Sequence, residues 1–424
     1  MSSPGWAAPT YDALVIGTGL AGLTAATRLA EAGARVCVIA KGTGATHLSP
    51  GTIDVLGYTP ERVERPGEAL GSLDGGHPYA RIGADAVAAS IDWFKRQFDG
   101  GPLGGYAYVG DLGTNVLLPT AVGAPKPSAV VPESMVAGDM RGDGSVLVVG
   151  FRVLRDFHAS YLADNLSRGG VPARSISLAR RFDGRPEANS LGIARALDDE
   201  AVRREVADEV ARALDGEARV AFPAVLGAED PHGVWRFFEE RLGRPVFEIG
   251  TLPPCVSGMR VFRTLRDRLR SLGGRIIIGS EAVGGERAGD RLASVRARAA
   301  GREVTYRARW VVLATGGVAS GGVVMDSRWR AREAVLDLPL SGVPAPGEER
   351  FVPRYFDEQP FSRAGVAVDD GLRPVDGAVG RVYENVFVAG ATLAGAQPWK
   401  EKSGDGLSLA SGHRAAELIL QEDS

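Results

Sequence analysis

DALVIGTGLAGLTAATRLAEAGARVCVIA, residues 12–40, decides the fold. Asp12–Ile16 is apolar, with β-branched residues near its end, and reads as a short buried strand. Gly17-Thr18-Gly19-Leu20-Ala21-Gly22 follows at once; 23–33 then read as a helix ending at Gly33, and 34–40 as a second strand. A bare G-x-G-x-x-G says little in a chain with 57 glycines among 424 residues. Strand, glycine turn, helix and second strand in one unit of about 30 residues is the context that gives it meaning. Gly17 permits the tight turn, Gly19 lets the backbone approach a pyrophosphate, and Gly22 allows close helix–strand packing. The helix N-terminus turns free N–H groups and a partial positive charge toward the phosphates, with Leu20 and Ala21 of the turn as candidate cofactor contacts. The expected ligand is a dinucleotide. The acidic residue that normally ends the second strand and holds the ribose is missing: the strand closes Ile39-Ala40-Lys41, so Ala40 and Lys41 stand where ribose contacts are expected.

Two distant segments add to this unit. Residues 259–274 read as a helix with Val261, Leu265, Leu269 and Leu272 on one face, stopped by Gly273-Gly274. A strand at 275–280 follows, then a hairpin of 292–300 and 302–310 around Gly301. A buried strand at 310–317 ends in Ala314-Thr315-Gly316-Gly317, a second close backbone approach. Near the C-terminus, 383–390 read as a strand running into Gly390. A loop with Lys400, Lys402, Gly404, Asp405 and Gly406 leads to a last helix over 407–420 that starts at Leu407. The expected cofactor domain is therefore discontinuous: 1–60, 256–320 and 376–424. Between these pieces lie an inserted cap or substrate domain at 61–255, of α+β type, and a cap extension at 321–375. The insertion mixes Gly/Pro-rich loops with helical runs such as FHASYLADNL and DEAVRREVADEVARAL.

Composition narrows the class. Formal charge is −3, from 49 basic and 52 acidic side chains, which gives no support to nucleic-acid binding. Apolar residues are 44% and charged residues 24%, the ordinary globular range. Only five of the basic residues are lysines; excess Gly, Ala and Arg with scarce Lys is what a GC-rich genome produces. Cys37 and Cys255 cannot by themselves build a disulfide framework, a four-thiolate zinc site or an iron–sulfur cluster, and no metal-ligand spacing is present. No apolar run approaches the roughly 18–20 residues of a membrane span, and the first twelve residues lack the pattern of a secretory signal. The expected location is cytoplasmic, with any place at the inner face of the membrane reached through a partner.

The three cofactor segments resemble the fumarate reductase/succinate dehydrogenase flavoprotein superfamily. Within it, the chain is similar to the B-subunit family of anaerobic glycerol-3-phosphate dehydrogenases. The similarity lies in 17–33, ATHLSPGTIDVLGY (45–58), TLPPCVSGMRVFRTLRDRLRSLGG (251–274), 311–322, 361–375 and 385–419. The H-L-S-P-G-T-I-D and L-P-P-x-V-x-G-M-R strings are more specific than any glycine motif. The resemblance implies a Rossmann-like fold with two dinucleotide-binding domains and a flavin, FAD by the dinucleotide motif and FMN by the family's description. It implies a last helix aimed at the flavin's N1/O2 edge. It also implies partners: a catalytic flavoprotein, an iron–sulfur subunit that docks on the membrane, and quinone reached through them. The chain departs from its relatives at 397–406, where a glycine-rich stretch is replaced by QPWKEKSGDG.

The implied reaction is hydride transfer from an alcohol carbon to flavin, with a base taking the hydroxyl proton and cations holding a phosphate. Oxidation of sn-glycerol 3-phosphate to dihydroxyacetone phosphate is the expected activity. Its rivals are a non-catalytic electron-relay subunit and a free-standing flavin enzyme acting on another substrate. Among five histidines, His47 is best placed as base or flavin contact, because such segments pass near the flavin in this superfamily. Its neighbours Leu48, Ser49, Gly51 and Thr52 are candidate cofactor contacts. Arg260 and Lys400 are candidate anion contacts.

Overall fold

The computed structural model describes residues 10–423 except Pro102, Asp183, Arg185 and Phe356, so most of the segment read for a secretory signal lies outside the described residues. The chain divides into two compact units, one of 1–45, 69–91 and 265–424, the other of 46–68 and 92–264.

The first unit is built on the 12–40 stretch. Strand β1 (Thr10–Ile16), helix α1 (Leu20–Glu31) and strand β2 (Val36–Ala40) follow the expected order. All five residues of β2 are buried, as a strand covered on both faces must be. Helix α2 (Val256–Ser271) leads into β3 (Arg275–Ile278), β4 (Ser280–Ala288), β5 (Arg291–Ala299), β6 (Arg302–Leu313) and, far on, β7 (Val386–Val388) and helix α3 (Gly404–Asp423). The sheet order is β3-β2-β1-β6-β5-β4, with β7 also on β6. Strand β1 is parallel to β2 and β6, while β6 meets β5 antiparallel through Arg302–Tyr306. Val311–Leu313 pair with Leu14–Ile16 on one side and with Val386–Val388 on the other, so both edges of β6 are satisfied where it is buried. Helix α3 packs on α1, and a Cβ at Gly412 would overlap the Ala21 carbonyl.

The structure revises several expectations for this unit. The second hairpin arm and the buried strand are one twelve-residue strand, β6, and β4 was not foreseen. Helix α3 starts at Gly404, three residues before Leu407. Residues 321–375, expected as a cap extension, fall in the first unit. Val366 bridges to Leu393, the Val388 N–H donates to the Leu372 carbonyl at 2.9 Å, and Arg373 Nε donates to the Glu384 carbonyl at 2.7 Å. Residues 69–91 belong there too, whereas 46–60 and 256–264 fall in the second unit.

The second unit centres on a wholly parallel sheet ordered Val246–Ile249, Arg219–Pro223, Val146–Phe151, Ala173–Leu178. Helices at Ala159–Arg168, Glu200–Ala213 and Pro231–Leu242 contribute Leu162, Leu166, Val206, Val210, Val234 and Phe238 to one core with Val148, Phe222 and Phe247 of the strands. The α+β expectation fits its two short antiparallel ladders, 108–110 with 130–132 and 116–119 with 125–128, but its main sheet is α/β.

Inside this unit lies a buried ion pair. Arg260 donates to both carboxylate oxygens of Glu248, at 2.6 and 3.1 Å, to the Tyr106 hydroxyl at 3.2 Å, and to the Leu226 and Gly227 carbonyls at 3.0 and 2.8 Å. Glu248 also accepts from Ser134 Oγ and the Leu226 N–H, both at 2.9 Å. Burial opposes the Arg260 charge, but Glu248 and Tyr106 hold it on the guanidinium, and burial pushes the Tyr106 phenol up to about 12. Removing one partner leaves an unpaired buried charge. Arg260→Ala is therefore expected to cost about 3–5 kcal/mol, read as a large fall in the melting temperature of the purified chain; a melting temperature equal to wild type would contradict this account.

Candidate functional site: a dinucleotide cradle

The three sequence segments meet inside the first unit. A Cβ on Gly17, whose φ is +120°, would overlap the Ala314 carbonyl oxygen, and one on Gly22 would overlap the Gly17 carbonyl oxygen. At both positions backbone touches backbone, so glycine is required by packing. Gly19 is different. A Cβ there would meet nothing within 4 Å, so its glycine leaves open room beside the helix start. Leu20, Ala21 and Gly22 form the first turn of α1, whose N–H groups have no intrahelical acceptor, and no acidic residue lies in that turn. These features fit a pyrophosphate: open space, outward-facing donors and no competing carboxylate.

The 314–317 loop is tied to the segment after β7. Thr392 Oγ1 accepts from the Gly316 N–H at 3.0 Å and lies 3.2 Å from the Gly316 carbonyl. The Gly390 N–H donates to Ser411 Oγ at 2.8 Å, which donates to the Leu407 carbonyl at 2.6 Å. Ala314, Thr315, Gly316, Gly390, Gly404, Gly406 and Leu407 thus share one unit with the glycine turn. Thr315 Oγ1 is a buried hydroxyl without a hydrogen-bond partner, as an unfilled ligand contact would be. Thr392, Ser411 and Thr18, whose Oγ1 donates to the Gly42 carbonyl at 2.7 Å, were missed because a lone hydroxyl carries no sequence signature.

Ala40 ends β2 buried, without a carboxylate, and Lys41 Nζ pairs with Glu281 of β4 at 2.9 Å. Lys400 is half-buried on the short helix Pro398–Glu401 of the first unit. His47, Leu48, Ser49, Gly51 and Thr52 all lie in the second unit. There the two most specific strings pack on each other. The His47 carbonyl accepts from the Cys255 N–H at 2.9 Å, and the His47 ring meets Phe262 edge-on with centroids 4.5 Å apart. A Cβ at Gly258 would overlap the Thr46 and Ser49 carbonyls, and the Gly51 carbonyl accepts from the Tyr108 hydroxyl at 2.6 Å. Thr52 sits in a buried cluster: Lys126 Nζ reaches Thr52 Oγ1 at 2.5 Å and Asp54 at 2.7 Å, and Ser128 Oγ donates to Asp54 at 2.7 Å. Leu48 is exposed. Arg260 does not serve as an anion contact, because its terminal nitrogens are committed to Glu248, Tyr106 and two carbonyls in a buried core.

Fold and cradle define a Rossmann-type protein built to hold a dinucleotide. The sequence matches the FAD binding domain family over residues 12–407. It is 34% identical to a probable anaerobic glycerol-3-phosphate dehydrogenase B subunit of Halobacterium salinarum, across 97% of this chain and 99% of that one. It is 32% identical to the B subunit of the anaerobic glycerol-3-phosphate dehydrogenase of Pectobacterium carotovorum, with the same coverage. Among solved structures, a 3-ketosteroid-Δ4-(5α)-dehydrogenase from Rhodococcus jostii is similar with a TM-score of 0.45 and 12% identity, covering 98% of each chain. The chain belongs to the FAD binding domain family and, within it, to the B-subunit family of anaerobic glycerol-3-phosphate dehydrogenases. It is a flavin-dependent oxidoreductase, and the family favours FAD over FMN.

The glycines make separable predictions. Gly19→Val should leave the thermal stability of the flavin-free chain close to wild type while weakening FAD binding at least about tenfold, or ~1.4 kcal/mol. Gly22→Ala should instead destabilise the flavin-free chain by about 1–3 kcal/mol through overpacking. Equal behaviour of the two variants in melting and flavin titration would contradict the division of roles.

Proposed function

We propose that this chain takes part in oxidising sn-glycerol 3-phosphate to dihydroxyacetone phosphate, within a complex that delivers the electrons to quinone through partner subunits. The observation that carries this reading is the match, along 97% of the chain, to relatives named for that dehydrogenase. Bound FAD supplies the hydride acceptor. The residues of the chain do the rest. The turn at Gly17–Gly22 and the start of α1 would hold the pyrophosphate, and the 314–317 loop, braced by Thr392, would lie against the cofactor. The first N–H groups of α3 would lie toward the ring, where the helix end would favour the negative charge gained on reduction. Lys400, in the unit that carries the cradle, is the proposed point-charge contact for the substrate phosphate. Partner subunits are expected to be a second flavoprotein and an iron–sulfur protein. Among the described residues no helix is long and apolar enough to cross a membrane, which supports reaching quinone through such partners.

The relatives' designation as the B component of that dehydrogenase also favours a second reading, in which this chain relays electrons and a partner oxidises the substrate. Anaerobic addition of sn-glycerol 3-phosphate to the flavin-loaded chain separates the two. Bleaching of the flavin absorption is the expected result, and Lys400→Met should raise the KM for the phosphate substrate about tenfold with kcat largely kept. A flavin that stays oxidised alone, while the complete complex turns over, would establish the relay instead.

A further inference from the structure

The stretch 397–406 is organised around a buried carboxylate. Glu401 ends the short helix Pro398–Glu401, and its side chain is 13% exposed. It accepts from His77 Nε2 at 3.3 Å, from Ser403 Oγ at 2.9 Å and from the Gln397 N–H at 2.9 Å. His77 is 2% exposed, and its Nδ1 accepts the Tyr79 N–H at 3.2 Å, capping the helix Pro78–Ile82. A ring nitrogen that accepts carries no proton, so the hydrogen sits on Nε2 and the imidazole is neutral, a tautomer assigned from these bonds. The pair therefore keeps the full negative charge of Glu401.

This charge stands at the entrance to α3. Ser403 immediately precedes the helix, and its carbonyl accepts the Leu407 N–H at 2.8 Å. Its hydroxyl donates to Glu401. The other charged groups of this corner are differently disposed: Lys402 Nζ donates to the Trp399 carbonyl at 2.6 Å, Glu358 accepts from Gln397 Nε2 at 2.8 Å, Lys400 is half-buried, and Asp405 lies in the first turn of α3.

We propose that Glu401, with neutral His77 as its donor, is a positioning residue for the start of α3. It binds the Ser403 hydroxyl at the helix entrance and fixes a negative charge that lowers the reduction potential of the flavin. The proposal rests on the reading that α3 faces the flavin ring. Reduction adds negative charge to the ring, and a fixed carboxylate in a poorly screened corner disfavours it.

The test is the midpoint potential of the flavin-loaded chain, measured by equilibration with a reference dye. Glu401→Gln keeps the shape and an acceptor oxygen but removes the charge. Its ratio of reduced to oxidised flavin at a given ambient potential should rise about tenfold, which is about 30 mV for a two-electron couple. His77→Gln keeps a neutral donor and the carboxylate, and its ratio should stay within about twofold of wild type. Should Glu401→Gln not fold, the double variant with His77→Gln pairs two amides and should show the same rise. An unchanged potential in a flavin-loaded Glu401→Gln or double variant overturns the proposal, as does loss of fold in both. A wild-type chain that neither contains nor takes up flavin overturns the underlying reading as well.

Discussion

At the end of β1 the chain has space for backbone and for nothing larger: the Ala314 carbonyl occupies the place of a Gly17 Cβ, and the Gly17 carbonyl that of a Gly22 Cβ. Much of the first unit depends on that contact. It lets β6 run level with β1, with Leu313 opposite Ile16, and it seats α1 directly on the strand it follows. With helix and strands so close, the first turn of α1 opens beside Gly19, where room remains. A binding site for an anion thus arises from close packing next to a single uncrowded glycine.

The second unit obeys a different constraint. Its parallel sheet is held over a dry core, and Arg260 and Glu248 are buried within it with most of their hydrogen-bonding capacity used. A pair so committed adds little net stability over an apolar replacement, but its loss on one side is severe. Thr52, Asp54, Lys126 and Ser128 form a similar closed cluster. Arg260, Thr52 and Asp54 come from the strings that look most family-specific, H-L-S-P-G-T-I-D and L-P-P-x-V-x-G-M-R, and those strings pack against each other. Motif specificity here reflects a folding requirement for Arg260 and Thr52, and the His47 ring is half-buried against Phe262.

The cofactor cradle was legible in the sequence because glycine spacing and strand–helix alternation are local signals. β1, α1 and β2 could be read to within two or three residues at each end, and Ala314–Gly317 followed from element order. Residues 321–375 could not be assigned, because a bridge such as Val366 to Leu393 joins short segments with no periodicity of their own. Arg260 was misread for a related reason. A guanidinium in sequence looks the same whether it awaits a phosphate or is locked to a carboxylate twelve residues back, and only the packing distinguishes them. The His77–Glu401 pair is separated by 324 residues and lay beyond any sequence pattern.

The account turns on the cradle holding a flavin dinucleotide. The most direct measurement is the mass and amount of cofactor released from the purified chain by denaturation. The account predicts the mass of FAD at about one per chain, since an open Gly19 and the α1 N-terminus are built for a pyrophosphate. FMN alone, or a chain that carries no flavin and binds none when it is supplied, would contradict it.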